Sequence, residues 1–196
     1  MPKGETAMAR ENKTMYAILG LLMIRPMSGY DMKKKIDTGL SFFWNENYGH
    51  LYPVLGKLEK EGFITKSVVK GERRPDRNVY KITSAGKREF SRWFPKKNDP
   101  VKFRSELMLK LFFGSYADAN ILISMVTREK QQHKDLLRIY SELEKRILEE
   151  NYRDEDKIFW RITLQNGRTF SRSQIVWCEN TLKTLRKFKL PSKKEE

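Results

Sequence analysis

The chain has a single cysteine, Cys178, in 196 residues. One thiol cannot form an intrachain disulfide, which points to a reducing compartment and away from a disulfide-stapled scaffold. Its two histidines, His50 and His133, are isolated, with no Cys/His/carboxylate cluster, so no metal site is expected. No stretch approaches the roughly 20 apolar residues that a membrane-spanning helix needs. The apolar run Tyr16–Ile24, with Lys3, Arg10 and Lys13 before it, imitates the core of a signal peptide. It has no small-residue cleavage site and runs into Arg25-Pro26 and then Lys33-Lys34-Lys35, so a cytoplasmic protein without membrane association is expected. Nucleophile–base pairs, phosphate-cradling loops and glycine fingerprints are also missing. The chain is therefore read as a non-enzyme that needs no cofactor.

What is present is a packable and strongly basic chain. Hydrophobic residues make up 39% and aromatics 12%, enough for a core, which argues against wholesale disorder. Forty Lys and Arg against 25 Asp and Glu give a net charge of +15, which favours a polyanionic partner: nucleic acid, an anionic membrane surface or an acidic protein. The excess is +9 in residues 1–100 and +6 in residues 101–196, so charge alone does not place the site.

Residues 1–13 are polar and read as a flexible arm. A helix is predicted over Thr14–Ile24, with Thr14 as its cap and Arg25-Pro26 as its stop. A second helix, Tyr30 to about Asp37, has Tyr30, Met32 and Ile36 as inward residues, and "SFFWNEN" (41–47) reads as an aromatic loop. The third begins near Gly49 or His50 and places Leu51, Leu55 and Leu58 inward. Pro53 inside that pattern is a start signal, because the first backbone N–H groups of a helix have no intrahelical acceptor. Phe63–Val69 and Val79–Thr83 alternate as two strands around the basic loop from Lys70 to Asn78. A fourth helix, "KREFSRWF", stops at Pro95, and "KKNDP" reads as a linker. Beyond it come helices over Val101–Gly114, Asp118–Glu150 and Asp154–Phe188, the last with a bend expected at Gly167. Phe103, Leu107 and Leu111 form the apolar side of the first. Ile121, Met125, Leu136, Leu137, Ile139, Leu143 and Ile147 form the seam of the second. Amphipathic helices of ~30 residues span about 45 Å and usually pair with another chain.

Three short helices followed by a hairpin is the winged helix-turn-helix order, in which the third helix enters the major groove and the hairpin reaches the adjacent backbone. The fold class is thus mainly α, with a winged domain of three helices and a two-stranded wing over 14–95 and a long-helix dimerisation and effector domain over 101–190. Candidate DNA contacts are His50, Tyr52, Gly56, Lys57 and Lys60 on the third helix and Lys70, Arg73, Arg74 and Arg77 on the wing. Tyr52 offers a hydroxyl to phosphate or base edge, Gly56 admits close approach, and the cations suit phosphates. Each group alone has a plainer reading, as a solvated basic helix face or a solvated turn. Phe159, Trp160, Phe170 and Trp177 could line a pocket for a small aromatic effector, or serve as core and interface anchors. The rival readings are a winged module that docks an acidic protein and, more distantly, an enzyme acting on nucleic acid.

Residues 14–94 resemble the PadR family of bacterial transcriptional regulators through "AILGLL" (17–22), "SGYDM" (28–32), "LYPVLGKLEKEGFI" (51–64) and "RNVYKITSAGKREFSRW" (77–93). Residues 101–188 are similar, in length and helical pattern only, to the C-terminal domain of the family's larger branch. That branch includes phenolic-acid-responsive repressors and virulence-gene activators. The resemblance implies a homodimer with exchanged C-terminal helices and a repressor whose two winged domains read a pseudo-palindromic operator in double-stranded DNA. It also implies that Tyr52, its outward neighbours and the basic wing touch DNA. Gly56 departs from the basic residue frequent there in the family, and His50 from a smaller one, so an operator sequence does not transfer.

Overall fold

The structure is a computed structural model that describes residues 13–44, 51–70, 76–101 and 103–187. The chain divides into two compact units, Met1–Asp99 and Pro100–Glu196.

In the first unit the uninterrupted apolar run becomes α1 (Thr14–Ile24), which buries Tyr16, Ile18, Leu19, Leu21 and Leu22 and runs through the core. Lys13 occupies the capping position without a side-chain bond, so Thr14 is the first helical residue and not the cap. After Arg25-Pro26 comes a two-residue strand, β1 (Met27–Ser28), and then α2 (Gly29–Thr38). Ser28 and Asp31 form a capping box: the Asp31 amide donates to Ser28 Oγ (3.2 Å) and the Ser28 amide donates to Asp31 Oδ2 (3.3 Å). The buried stripe of α2 is Gly29, Met32 and Ile36. Tyr30, expected inward, is 71% exposed, because one residue past Gly29 is about 100° around the helix.

α3 (Leu51–Lys60) buries Leu51, Val54, Leu55 and Leu58, the i, i+3, i+4, i+7 stripe of a helix packed on one side. Its end is a Schellman motif. Gly62 adopts φ +74°, its amide donates to the Glu59 carbonyl (3.0 Å), and the Phe63 amide donates to the Leu58 carbonyl (2.9 Å). The chain then enters β2 (Ile64–Val69) and returns as β3 (Arg77–Ile82), in antiparallel register from Ile64↔Ile82 to Val69↔Arg77. The wing is not a bare hairpin, as the sequence suggests: β1 adds to the other edge of β3, through Met27↔Tyr80 and Ser28↔Val79, giving the order β1-β3-β2. α4 (Ser84–Trp93), capped by Thr83, closes the unit by stacking Trp93 on Tyr16 (ring centroids 4.9 Å apart, planes 8° apart).

In the second unit α5 (Glu106–Phe112) starts at a Ser105 cap, five residues later than the sequence suggests, and Phe103 lies outside it, 77% exposed. Leu107 and Leu111 pack against Val126, Cys178 and Leu182. α6 (Ala119–Glu149) and α7 (Asp154–Lys187) form an antiparallel hairpin, in which Lys130 pairs with Glu179 and Glu144 with Arg161. Of the aliphatic seam expected on α6, Met125, Leu136, Leu137, Leu143 and Ile147 are half-buried and Ile121 and Ile139 exposed, while the fully buried residues are Leu122, Val126, His133 and Tyr140. From Val126 this seam repeats every seven residues, as does Leu164, Ser171 and Cys178 on α7. His133 is a satisfied core histidine, with Nδ1 3.4 Å from Ser171 Oγ and Nε2 3.3 Å from Glu129 Oε1. α7 runs unbroken through Gly167, where a Cβ would stand 2.8 Å from the Tyr140 ring. The glycine there admits that ring. Among the described residues no helix is long and apolar enough to cross a membrane.

Candidate nucleic-acid interface

The outer surface of α3 is set by what its inner stripe must bury. At 100° per residue, Gly56 and Lys60 fall opposite the leucines, while Tyr52 and Lys57 lie on the two flanks. All four are exposed. Pro53 is the third residue of the helix and costs it no hydrogen bond. Lys57 forms an i, i+4 ion pair with Glu61 (3.7 Å). An exposed pair of this kind contributes at most about 1 kcal/mol, so it leaves the ammonium free to exchange partners. A Cβ at Gly56 would meet nothing within 4 Å among the described residues, so no packing there requires a glycine.

Gly56→Ala is therefore expected to raise stability by about 0.5–1 kcal/mol, the ordinary helix-interior difference between the two residues. The check is the urea midpoint. A lower midpoint would mean that the helix surface is more constrained than its open surroundings imply.

Tyr52 is 61% exposed, and its ring lies against the start of α2 at Gly29. Beneath it is Tyr80, buried on β3, whose phenol is pushed above its usual range by burial first and then by Glu59 and Tyr52. On the wing, Lys70 follows β2 and Arg77 opens β3, both exposed. His50, Arg73 and Arg74, the other expected contacts, lie outside the described residues.

The fold brings in groups that the sequence reading passed over. Asp31 is held below the ordinary carboxylate range, first by the hydroxyl of Ser28 donating to it (2.7 Å), then by the Ser28 amide and the charges of Arg77 and Arg25. The charges of Arg25 and Arg77 thus reach the first turn of α2, where Tyr30 is also exposed. The sequence marks Arg25 only as part of a helix stop. That its charge and that of Arg77 act on one carboxylate goes with the β1–β3 pairing, which a two-residue strand does not announce.

The four aromatics of α7 do not gather into one pocket. Trp160 meets Tyr152 edge-on (4.7 Å), Phe170 meets His133 edge-on (5.8 Å), Phe159 is exposed, and Trp177 packs on the Val126–Cys178–Leu182 cluster. An apolar groove of about 380 Å³ lies elsewhere, between α5 and α6, lined by Leu109, Lys110, Phe113, Ala117, Ile121, Leu122 and Met125. The Cys178 thiol is fully buried and pushed up by burial first and then by Glu129, the opposite of an activated thiolate.

A winged three-helix domain with a free basic and aromatic face on its third helix, followed by a unit of long helices, defines a winged helix-turn-helix protein of the regulator type. Residues 18–92 match the transcriptional regulator PadR-like family, and residues 103–186 match the virulence activator alpha C-term family. The negative transcriptional regulator PadR of Bacillus subtilis is 37% identical over 102 residues, covering 51% of this chain and 56% of that protein. Two solved structures share nearly the whole architecture. One is a PadR-like transcriptional regulator of Bacillus cereus (TM-score 0.74, 26% identity, 88% of this chain and 98% of that one). The other is Bacillus subtilis PadR in complex with operator DNA (TM-score 0.77, 25% identity, 88% and 98%). Together the two matches make the chain similar, over residues 18–92 and 103–186, to PadR-like transcriptional regulators with an extended helical C-terminal region.

Proposed function

We propose that this protein is a dimeric repressor that binds a pseudo-palindromic operator through α3 and the wing and is modulated through its C-terminal unit. The observation that carries the reading is the free face of α3. Tyr52, Gly56, Lys57 and Lys60 are presented by a helix whose other side is locked into the core, and none of them is needed to hold it there. The operator complex of the similarly folded Bacillus subtilis protein supports the same assignment. Tyr52 would supply a base-edge or phosphate hydroxyl; Lys57, Lys60, Lys70 and Arg77 would supply salt-dependent phosphate contacts. His50, Arg73 and Arg74 complete the proposed set.

The second unit supports the dimer in this reading. α6 and α7 cover each other along one seam only and leave Leu148, Ile158, Phe159, Ile162, Phe170 and Val176 exposed, more apolar surface than a two-helix hairpin can leave in water. A second copy would cover them. A small aromatic effector has its best site in the groove between α5 and α6, whose volume is that of a small-molecule pocket.

The test is a gel shift on DNA from upstream of the protein's own gene. Tyr52→Ala combined with Lys57→Ala is expected to weaken specific retention by roughly 30-fold or more, about 1 kcal/mol for each lost contact, while sedimentation still shows the dimer. Undiminished specific binding by the double variant would remove α3 from the reading role.

A further inference from the structure

We propose that Gly29 is a specificity-determining positioning residue, which seats the ring of Tyr52 and so sets where its hydroxyl meets DNA; this rests on the reading that α3 contacts the operator. A Cβ on Gly29 would stand 2.8 Å from Tyr52 Cε1 and 3.4 Å from both Cζ and Oη. No real Cβ tolerates the first of these distances, so any other residue at 29 moves the ring.

The backbone gives no other reason for glycine. Among the described residues only Gly62 has a positive φ, so position 29 is a conformation that any residue can adopt. It is the first helical residue of α2, directly after the Ser28 cap, where alanine is the better helix former. The three heavy atoms nearest the added carbon all belong to Tyr52, a residue that is 61% exposed. What the missing side chain provides is a flat seat for a solvent-facing tyrosine.

The seat is itself rigid. Ser28 and Asp31 lock the first turn of α2 through three hydrogen bonds, and Ser28 is tied into the sheet opposite Val79. A ring resting on that turn loses freedom before any partner arrives, and a preorganised contact binds with less ordering cost than a free one. The charges of Arg25 and Arg77 also act on Asp31 in this turn.

Substitution Gly29→Ala in the full chain labelled with 3-fluorotyrosine tests this. The Tyr52 fluorine resonance, assigned by its loss in Tyr52→Phe, is expected to shift, with the urea midpoint unchanged or raised. Operator affinity should fall about tenfold, the size of one mispositioned base-edge contact, while affinity for random DNA and its salt dependence stay the same. In a Tyr52→Ala background, Gly29→Ala should cost nothing further. An unmoved resonance, a shifted resonance with undiminished operator preference, additive losses in the double variant, or a Gly29→Ala chain that fails to fold each overturns the proposal. If the wild-type chain itself shows no preference for operator over random DNA, the operator reading and the specificity role both fall. A fluorine shift seen in that case marks the failure as the reading's and not the seating's.

Discussion

Gly86→Ala is expected to destabilise the winged unit by about 3 kcal/mol or more, the upper range for overpacking a closed site. Gly86 lies in the first turn of α4, buried, with its amide donating to Thr83 Oγ1 (3.1 Å). A Cβ there would be 2.2 Å from the Phe63 carbonyl oxygen, 3.0 Å from its carbon and 2.9 Å from Ile82 Cγ1. The first two contacts are backbone, and the carbonyl cannot swing aside. It accepts the Thr83 amide (3.0 Å) and the Thr83 hydroxyl (3.1 Å), the bonds that join the exit of α3 to the start of α4. Relief of the clash therefore breaks the cap or the strand end. The helix-propensity gain of alanine, about 1 kcal/mol, falls well short of that loss. Urea unfolding of the full chain followed by Trp93 and Tyr16 is the measurement. A midpoint equal to wild type would show that α4 can slide on the Phe63 carbonyl, contrary to its bonding.

Leu55→Ala is expected to cost about 2–5 kcal/mol, since its side chain is 0% exposed and truncation leaves a cavity in a closed core. Leu55 belongs to the same cluster as Ile18, Leu19, Met32 and Ile64, so the loss falls on the contacts of α1, α2 and β2 with α3. Operator binding should fail in parallel with stability on warming and recover at low temperature, because the exposed face itself is untouched. The contrast with Gly56, the adjoining residue, is informative. Both are replaced by alanine, yet the expected effects have opposite signs, because one change empties a core site and the other adds a methyl group in open space. A Leu55→Ala chain as stable as wild type would mean that α3 repacks, and the seating of its outer face would have to be reconsidered.

The fold class was legible because its signals are local. The aliphatic run of α1, the proline at the start of α3, the glycine just past its end and the alternating strands each follow from the steric demands of a few neighbouring residues. The misplacements share one physical cause. On α6 the aliphatic residues suggested a seam through Ile121 and Ile139, whereas the partner helix buries Val126, His133 and Tyr140 against Leu164, Ser171 and Cys178. A seam holding a histidine, a tyrosine, a serine and a cysteine is invisible to a reading of aliphatic periodicity. It becomes apolar only when Ser171 and Glu129 satisfy His133 and when Gly167 makes room for Tyr140. Tyr30 was misplaced in the same manner, drawn inward by its ring when Gly29 holds the inner position.

By itself, then, the sequence determined the order of elements, the basic balance and the identity of the helix whose outer face carries Tyr52, Gly56, Lys57 and Lys60. These depend on spacing along one chain segment, and periodicity records spacing. Only the tertiary structure decided that β1 joins the wing, that the charges of Arg25 and Arg77 act on Asp31, and that Gly29 lies under the ring of Tyr52. Those relations join residues that are tens of positions apart, and their energies arise from backbone pairing and close approach, which no run of neighbouring residues encodes.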